Sequence, residues 1–227
     1  MNFAAVETSG EWCSVALWAD GEIDALERRA GHRHGELVLP MLERLLARRG
    51  LHAGRLDAVA FGAGPGAFTG LRIACGVAQG LALARGIPVL GVSTLEAVAE
   101  ESGARRVLVC LDARMREVYY AALERAAEGW REAIEAQCVA PGSAPLPEGG
   151  GWYGCGTGFE VYREALRERF GESLAGVSAQ AHPSAVAVAR LAAPRLAAGQ
   201  GGDAALAAPR YLRDKVALTK QERETKR

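Results

Sequence analysis

Ala58-Val59-Ala60-Phe61-Gly62-Ala63-Gly64-Pro65-Gly66-Ala67-Phe68-Thr69-Gly70-Leu71-Arg72 is the stretch from which the fold can be read. The apolar run Ala58 to Phe61 has strand character, and Asp57 to Ala63 is predicted as a strand. The motif loop follows, with Gly64, Pro65, Gly66, Phe68, Thr69 and Gly70, and a helix is predicted from about Thr69 to Ala84. A loop so rich in Gly and Pro, placed between a strand and a helix, lets a second backbone or a phosphate come close. Phe68 stands out there, because an aromatic ring left in water costs free energy unless something covers it.

On either side the same alternation continues. Upstream, Asn2 to Glu7, Trp12 to Ala19 and Glu22 to Arg29 read as strands, with Asp20-Gly21 as a hairpin turn. A helix is predicted from about Glu36 to Arg49, with Leu39, Leu42, Leu45 and Leu46 on one side and Pro40 in its first turn. Downstream, Gly86-Ile87-Pro88 ends a helix and Val89 to Val92 forms a strand. Ser93 and Glu96 make a capping box for the next helix. Near Gly103 the pattern restarts: strands at Arg106 to Leu111, Glu117 to Glu124 and Trp130 to Val139, then a Pro- and Gly-rich loop. A short strand at Trp152 to Gly156 and helices near Gly158 to Phe170 and His182 to Ala198 complete it. The expected class is α/β, built as an N-terminal lobe (1–103), a C-terminal lobe (104–205) and a tail (206–227). Two related units in that order fit the two-lobed actin-like ATPase (ASKHA, ribonuclease H-like) architecture.

The 227 residues carry 27 Lys plus Arg against 27 Asp plus Glu, so no global basic field invites nucleic acid. The basic run Arg210, Arg213, Lys215, Lys220, Arg223, Lys226 and Arg227 reads as a solvated terminus. The N-terminus lacks the pattern of a secretory signal, and Ile73 to Ala84 is too short to span a bilayer. Five scattered cysteines without a CxxC pair suit reduced thiols. A cytoplasmic location is expected, with no membrane partner.

Three chemistries fail on the residues. Gly62-Ala63-Gly64-Pro65-Gly66-Ala67 fits a dinucleotide fingerprint in outline, but the next strand ends in Gly91-Val92-Ser93 without the acid that holds a ribose. His32 and His34 have no companion cluster, so no metal site is expected, and the pair reads as exposed. No nucleophile elbow occurs, and Cys155 between two glycines reads as a small core residue rather than a partner for His182. An actin-like phosphate site needs a turn in each lobe. Glu7, Thr8, Ser9 and Gly10 supply a candidate nucleotide-binding turn, with Glu7 where an Asp is usual. Asp112-Ala113-Arg114-Met115-Arg116 supplies an Asp but no glycine. The expected nucleotide cleft is therefore degenerate, with no firm cofactor beyond ATP or ADP held weakly or at a subunit interface.

Ordered blocks of the chain resemble the TsaB (YeaZ) family: Trp12 to Leu17, His34 to Pro40, Gly62 to Arg72, Gly86 to Val89 and Val92 to Glu96. Leu111 to Arg114 with Glu117 to Tyr119, and Pro209 to Arg213, extend the match. The resemblance implies an actin-like fold and a non-catalytic role in the complex that installs threonylcarbamoyl on adenosine 37 of tRNA. It implies a TsaD-like transferase as heterodimer partner, a TsaE-like ATPase docking on the pair, and tRNA met only through the complex. In that family the TsaD subunit carries the metal-binding histidines and the transfer chemistry.

The residues add a physical reason for a helix interface. Ala74, Gly76, Ala78, Gly80, Ala82 and Ala84 let another helix approach the one after the loop. With the family pairing, the expected partner interface is Leu39, Leu42, Leu46, Phe68, Arg72, Gly76 and Gly80, and a homodimer is expected when the chain is alone. The competing readings are a self-sufficient ATP-dependent kinase of the same fold, and a peptidase, for which neither a zinc-type cluster nor a nucleophile elbow is present.

Overall fold

In the computed structural model, residues 1–127 and 129–213 are described; most of the basic stretch at the end falls in 214–227, outside the described residues. The first half contains β1 (Phe3–Glu7), β2 (Trp12–Ala19), β3 (Glu22–Arg29), α1 (His34–Arg48), β4 (Ala58–Gly64), α2 (Phe68–Leu83), β5 (Val89–Ser93) and α3 (Thr94–Glu101). The second contains β6 (Arg106–Asp112), β7 (Val118–Ala126), β8 (Gly129–Val139), β9 (Trp152–Cys155), α4 (Gly158–Val161), α5 (Arg163–Phe170), β10 (Leu174–Ser178) and α6 (Ala185–Ala197).

The two sheets share one topology. Their strand orders are β3-β2-β1-β4-β5 and β8-β7-β6-β9-β10. In each, the first three strands form an antiparallel meander and the last two run parallel to the first. This is the actin-like architecture, repeated in one chain. Strand alternation sorts the residues into layers. In β1, Phe3 and Ala5 face the core between the sheets while Ala4 and Val6 face α1 and α2. In β6, Val107, Val109 and Leu111 face that shared core while Leu108 and Cys110 face α4 and α5.

Helices α3 and α6 fill the space between the sheets. Although α6 follows the second sheet in sequence, it packs on the first, and Ser14 Oγ accepts the N–H of Ala185 at 2.9 Å. Arg195 on α6 pairs with Glu96 on α3 at 2.6 Å, and Arg125 on β7 with Glu100 at 2.5 Å. All five cysteines are free thiols, and Cys155 is buried in the shared core.

Several local expectations change. Helix α1 begins at His34, so Pro40 lies in its second turn rather than its first. The residue is exposed, which leaves the carbonyl it deprives of a partner free to meet water. Ser93 occupies the N-cap of α3, but its side chain makes no capping bond, and the Glu96 carboxylate expected to complete the box pairs with Arg195. The single helix expected over Gly158 to Phe170 breaks at Tyr162 into α4 and α5. The helix expected from His182 starts at Ala185, where Ser184 accepts the N–H of Ala187. Strand β10 gave no alternation in the sequence, since it is a short edge strand with a glycine and a register shift.

Candidate partner-binding face and interlobe cleft

The glycine loop closes over the first-lobe turn. A Cβ on Gly62 would stand 1.9 Å from Glu7 Oε2, one on Gly66 2.6 Å from Ser9 Cβ, and one on Gly70 1.9 Å from the Thr8 carbonyl oxygen. Thr8 Oγ1 donates to the Gly70 carbonyl at 2.7 Å, and the Ala67 N–H donates to the Ser9 carbonyl at 2.8 Å. The Ser9 N–H donates to Glu7 Oε1 at 2.6 Å. Glu7, Thr8 and Ser9 are consequently buried, and only Gly10 reaches the surface. Of the expected nucleotide turn, Glu7, Thr8 and Ser9 thus lie beneath the chain's own loop, while Gly10 stands open to the cleft. Burial raises the Glu7 pKa above the usual carboxylate range, favouring the neutral acid. The backbone approach anticipated from the glycines is real, and the visitor is the neighbouring turn.

The second-lobe turn is organised around Asp112. Its Oδ1 accepts from the Arg114 N–H at 2.9 Å and the Tyr162 hydroxyl at 3.0 Å, while Thr157 Oγ1 accepts the Asp112 N–H at 3.1 Å. Arg114, Met115 and Arg116 all have positive φ, 60°, 54° and 64°. Between the turns lies a cleft of about 1510 Å³, whose walls include Gly10, His32, Phe68, Asp112, Arg114 and Tyr211. Among the described residues, no three His, Cys, Asp or Glu side chains converge as a metal-binding group.

His34, expected to be exposed, is buried, with Nε2 3.1 Å from the Gly10 carbonyl. His182 packs on the opposite lobe: its ring stacks on Trp12 (centroids 5.0 Å apart, planes 16° apart) and Nε2 lies 3.2 Å from Glu27 Oε2. The hydrogen bond to Glu27 lifts the imidazole pKa against the opposing effect of burial. A raised folded pKa means the contact contributes its full stability below the unfolded value of about 6.5 and loses it as pH rises through the folded value. Both side chains are about a third exposed, so the contribution stays below about 1 kcal/mol. Denaturant titrations on either side of that range should show the loss in the wild type, and Glu27→Gln should flatten it.

The outer layer formed by α1 and α2 holds the expected interface residues, and it divides them. Leu42 and Leu46 are buried against the first sheet, together with Leu45 and Met41. They therefore line no surface, which removes both from the interface. This part of the apolar stripe of α1 is taken up by its own sheet, and burial of each such leucine stabilises the lobe by roughly 1.5–3 kcal/mol. Leu39, by contrast, is 45% exposed. On α2, Gly76 and Gly80 are exposed, and a Cβ at either would have no atom within 4 Å, so a flat strip of backbone faces outward. Phe68 is covered in part by its own neighbours: the Arg72 guanidinium sits 3.8 Å from its ring centroid, and the Tyr211 ring 5.6 Å away. Tyr211, Leu83 and Leu206 were not anticipated as surface groups. Leu83 is 57% exposed at the end of α2, and Leu206 is 81% exposed in a short turn packed on that helix. The apolar character of Leu83 was legible, but its direction depends on where the helix meets the sheet. Among the described residues, no helix is long and apolar enough to cross a membrane.

Comparison with known proteins agrees with this architecture. The family model described as TsaD, tRNA N6-adenosine threonylcarbamoyltransferase, matches residues 27–221. The tRNA threonylcarbamoyladenosine biosynthesis protein TsaB of Escherichia coli is 36% identical over 233 residues, covering 97% of this chain and 98% of that one. TsaB of Haemophilus influenzae is 39% identical over 156 residues, 63% of this chain and 66% of its own length. Among solved structures, YeaZ from Pseudomonas aeruginosa superposes with a TM-score of 0.86 at 38% identity, covering 93% of this chain and 99% of that one. A second Pseudomonas aeruginosa structure, described as similar to peptidase YEAZ, gives the same TM-score at 37% identity. Matched over nearly its whole length at this level of identity, the chain belongs to the TsaB (YeaZ) family.

Proposed function

We propose that this chain serves tRNA threonylcarbamoyladenosine biosynthesis as a non-catalytic subunit, binding and activating a TsaD-like transferase and helping recruit a TsaE-like ATPase. The observation that carries the reading is the outer face of α2. Its backbone is bare at Gly76 and Gly80, and it is bordered by Phe68, Arg72 and Leu83 and, on α1, by Leu39. A strip of this kind lets a partner helix approach closely, with dispersion contacts to backbone as well as side chains.

The first-lobe turn supports the same division of labour. A kinase of this fold would present that turn to the phosphates of ATP, whereas here Glu7, Thr8 and Ser9 are buried beneath the glycine loop. On this reading any ATP or ADP is held where subunits meet, and tRNA is met through the assembled complex.

Light scattering after size exclusion tests the proposal, with the chain run alone and mixed with the TsaD-like subunit of the same cell. A homodimer exchanging into a one-to-one heterodimer is the expected result. Failure to associate with or without nucleotide, together with ATP turnover by the isolated chain, would favour the kinase instead.

A further inference from the structure

Residues 207–213 run from α2 to the second-lobe turn and touch both. At the α2 end, the Ala207 carbonyl accepts from Gln79 Nε2 at 3.0 Å, and the Arg210 N–H donates to the Ala63 carbonyl at 2.6 Å. Gly64 makes room for this run, since a Cβ there would lie 2.6 Å from the Arg210 carbonyl oxygen. Arg72 Nε donates to the Tyr211 hydroxyl at 3.1 Å. At the other end, the largely buried Arg213 guanidinium donates to the Ala113 carbonyl at 2.9 Å and pairs with the Glu117 carboxylate.

Ala113 and Glu117 bracket the residues of positive φ: the Ala113 N–H donates to the Glu117 carbonyl, and the Glu117 N–H to the Arg114 carbonyl. Three successive side-chain-bearing residues in the left-handed region are disfavoured, and such a segment persists when its surroundings over-determine it. The Asp112 bond to the Arg114 N–H holds one side of the turn, and Arg213 adds to that over-determination by gripping it at both ends.

We propose that residues 207–213 form a strap that holds the 113–117 turn in its strained form and ties it to α2, so that the turn responds to what docks on that helix. The free-chain part stands on the contacts above; the response to docking rests on the partner role proposed for α2.

Hydrogen–deuterium exchange on the full chain tests it. Arg213→Ala should speed exchange at 113–117 by about tenfold, with Arg213→Lys intermediate and the shared core unchanged. Arg72→Ala, which touches none of those amides, should speed them in the same direction through loss of the Tyr211 bond. Arg116→Gly, which relieves one disfavoured φ, should make the turn less sensitive to Arg213→Ala. Unchanged exchange in both Arg213 variants would overturn the strap. A response to Arg213→Ala but not to Arg72→Ala would reduce Arg213 to a local brace and overturn the link to α2. With the TsaD-like subunit added, a change at 113–117 in the wild type that is lost in Arg213→Ala is expected. Binding without any change there would overturn transmission. Absence of binding would count against the partner role, leaving the free-chain result to judge the strap.

Discussion

Gly76→Arg is expected to abolish the heterodimer while the chain stays folded. The glycine sits in the interior of α2 with open space above it, so a Cβ added there meets nothing within 4 Å and the new side chain has room to extend outward. Intrinsic helix preference also favours arginine over glycine, by somewhat under about 1 kcal/mol, so the unfolding midpoint should hold or rise. Against a partner helix the same side chain fills the contact and places a charge where backbone should meet backbone. Affinity should fall by roughly 100-fold or more, read by light scattering or calorimetry. Leu42→Glu supplies the contrast. It puts a carboxylate without a partner into the layer beneath α1 and should cost more than about 4 kcal/mol, enough to unfold the lobe. If Gly76→Arg bound the partner as tightly as wild type, the α2 strip would not be the interface.

The second large effect is on folding. Gly70 lies in the first turn of α2, where an isolated helix would gain from alanine. The tertiary contact reverses the sign. A methyl group there would stand 1.9 Å from the Thr8 carbonyl oxygen, a backbone atom that cannot swing aside. Thr8 is itself fixed by the bond from its hydroxyl to the Gly70 carbonyl. Gly70→Ala should therefore lower stability by about 3 kcal/mol, roughly 6–12 °C in Tm for a chain of this size. Gly76→Ala, on the same helix but facing outward, should raise it by somewhat under about 1 kcal/mol. Thermal melts of the pair give the test, and a Gly70→Ala variant as stable as Gly76→Ala would mean that the loop does not press on the turn.

These two glycines also show what local pattern determines and what it leaves open. The apolar runs of β1 and β6, the Asp20-Gly21 hairpin, with φ 53° and 82°, and the repeated order of strands and helices were all legible. Each follows from a short apolar run bounded by turn residues or from a backbone angle that few residues accept, and neither needs long-range information. The strand-to-helix glycine loop was equally plain. Its purpose was not, because a bare backbone invites a phosphate and a neighbouring turn alike. Glu7 is distant from Gly62 in sequence and adjacent to it in space, and that adjacency buries residues expected to face a ligand.

Burial direction was the other undetermined quantity. Leu39, Leu42 and Leu46 belong to one apolar helix pattern, yet Leu42 and Leu46 are core and Leu39 is surface. The pattern shows that α1 has a wet side and a dry side. Where the boundary falls depends on how the helix axis lies on its sheet. The amino-acid sequence determined the two-lobed α/β plan and the family, since both rest on short-range periodicity and on ordered motifs. Only the tertiary structure decided that Glu7, Thr8 and Ser9 lie beneath the glycine loop, that α2 keeps an open face, and that residues 207–213 join that helix to a strained turn, because each is a meeting of segments far apart along the chain.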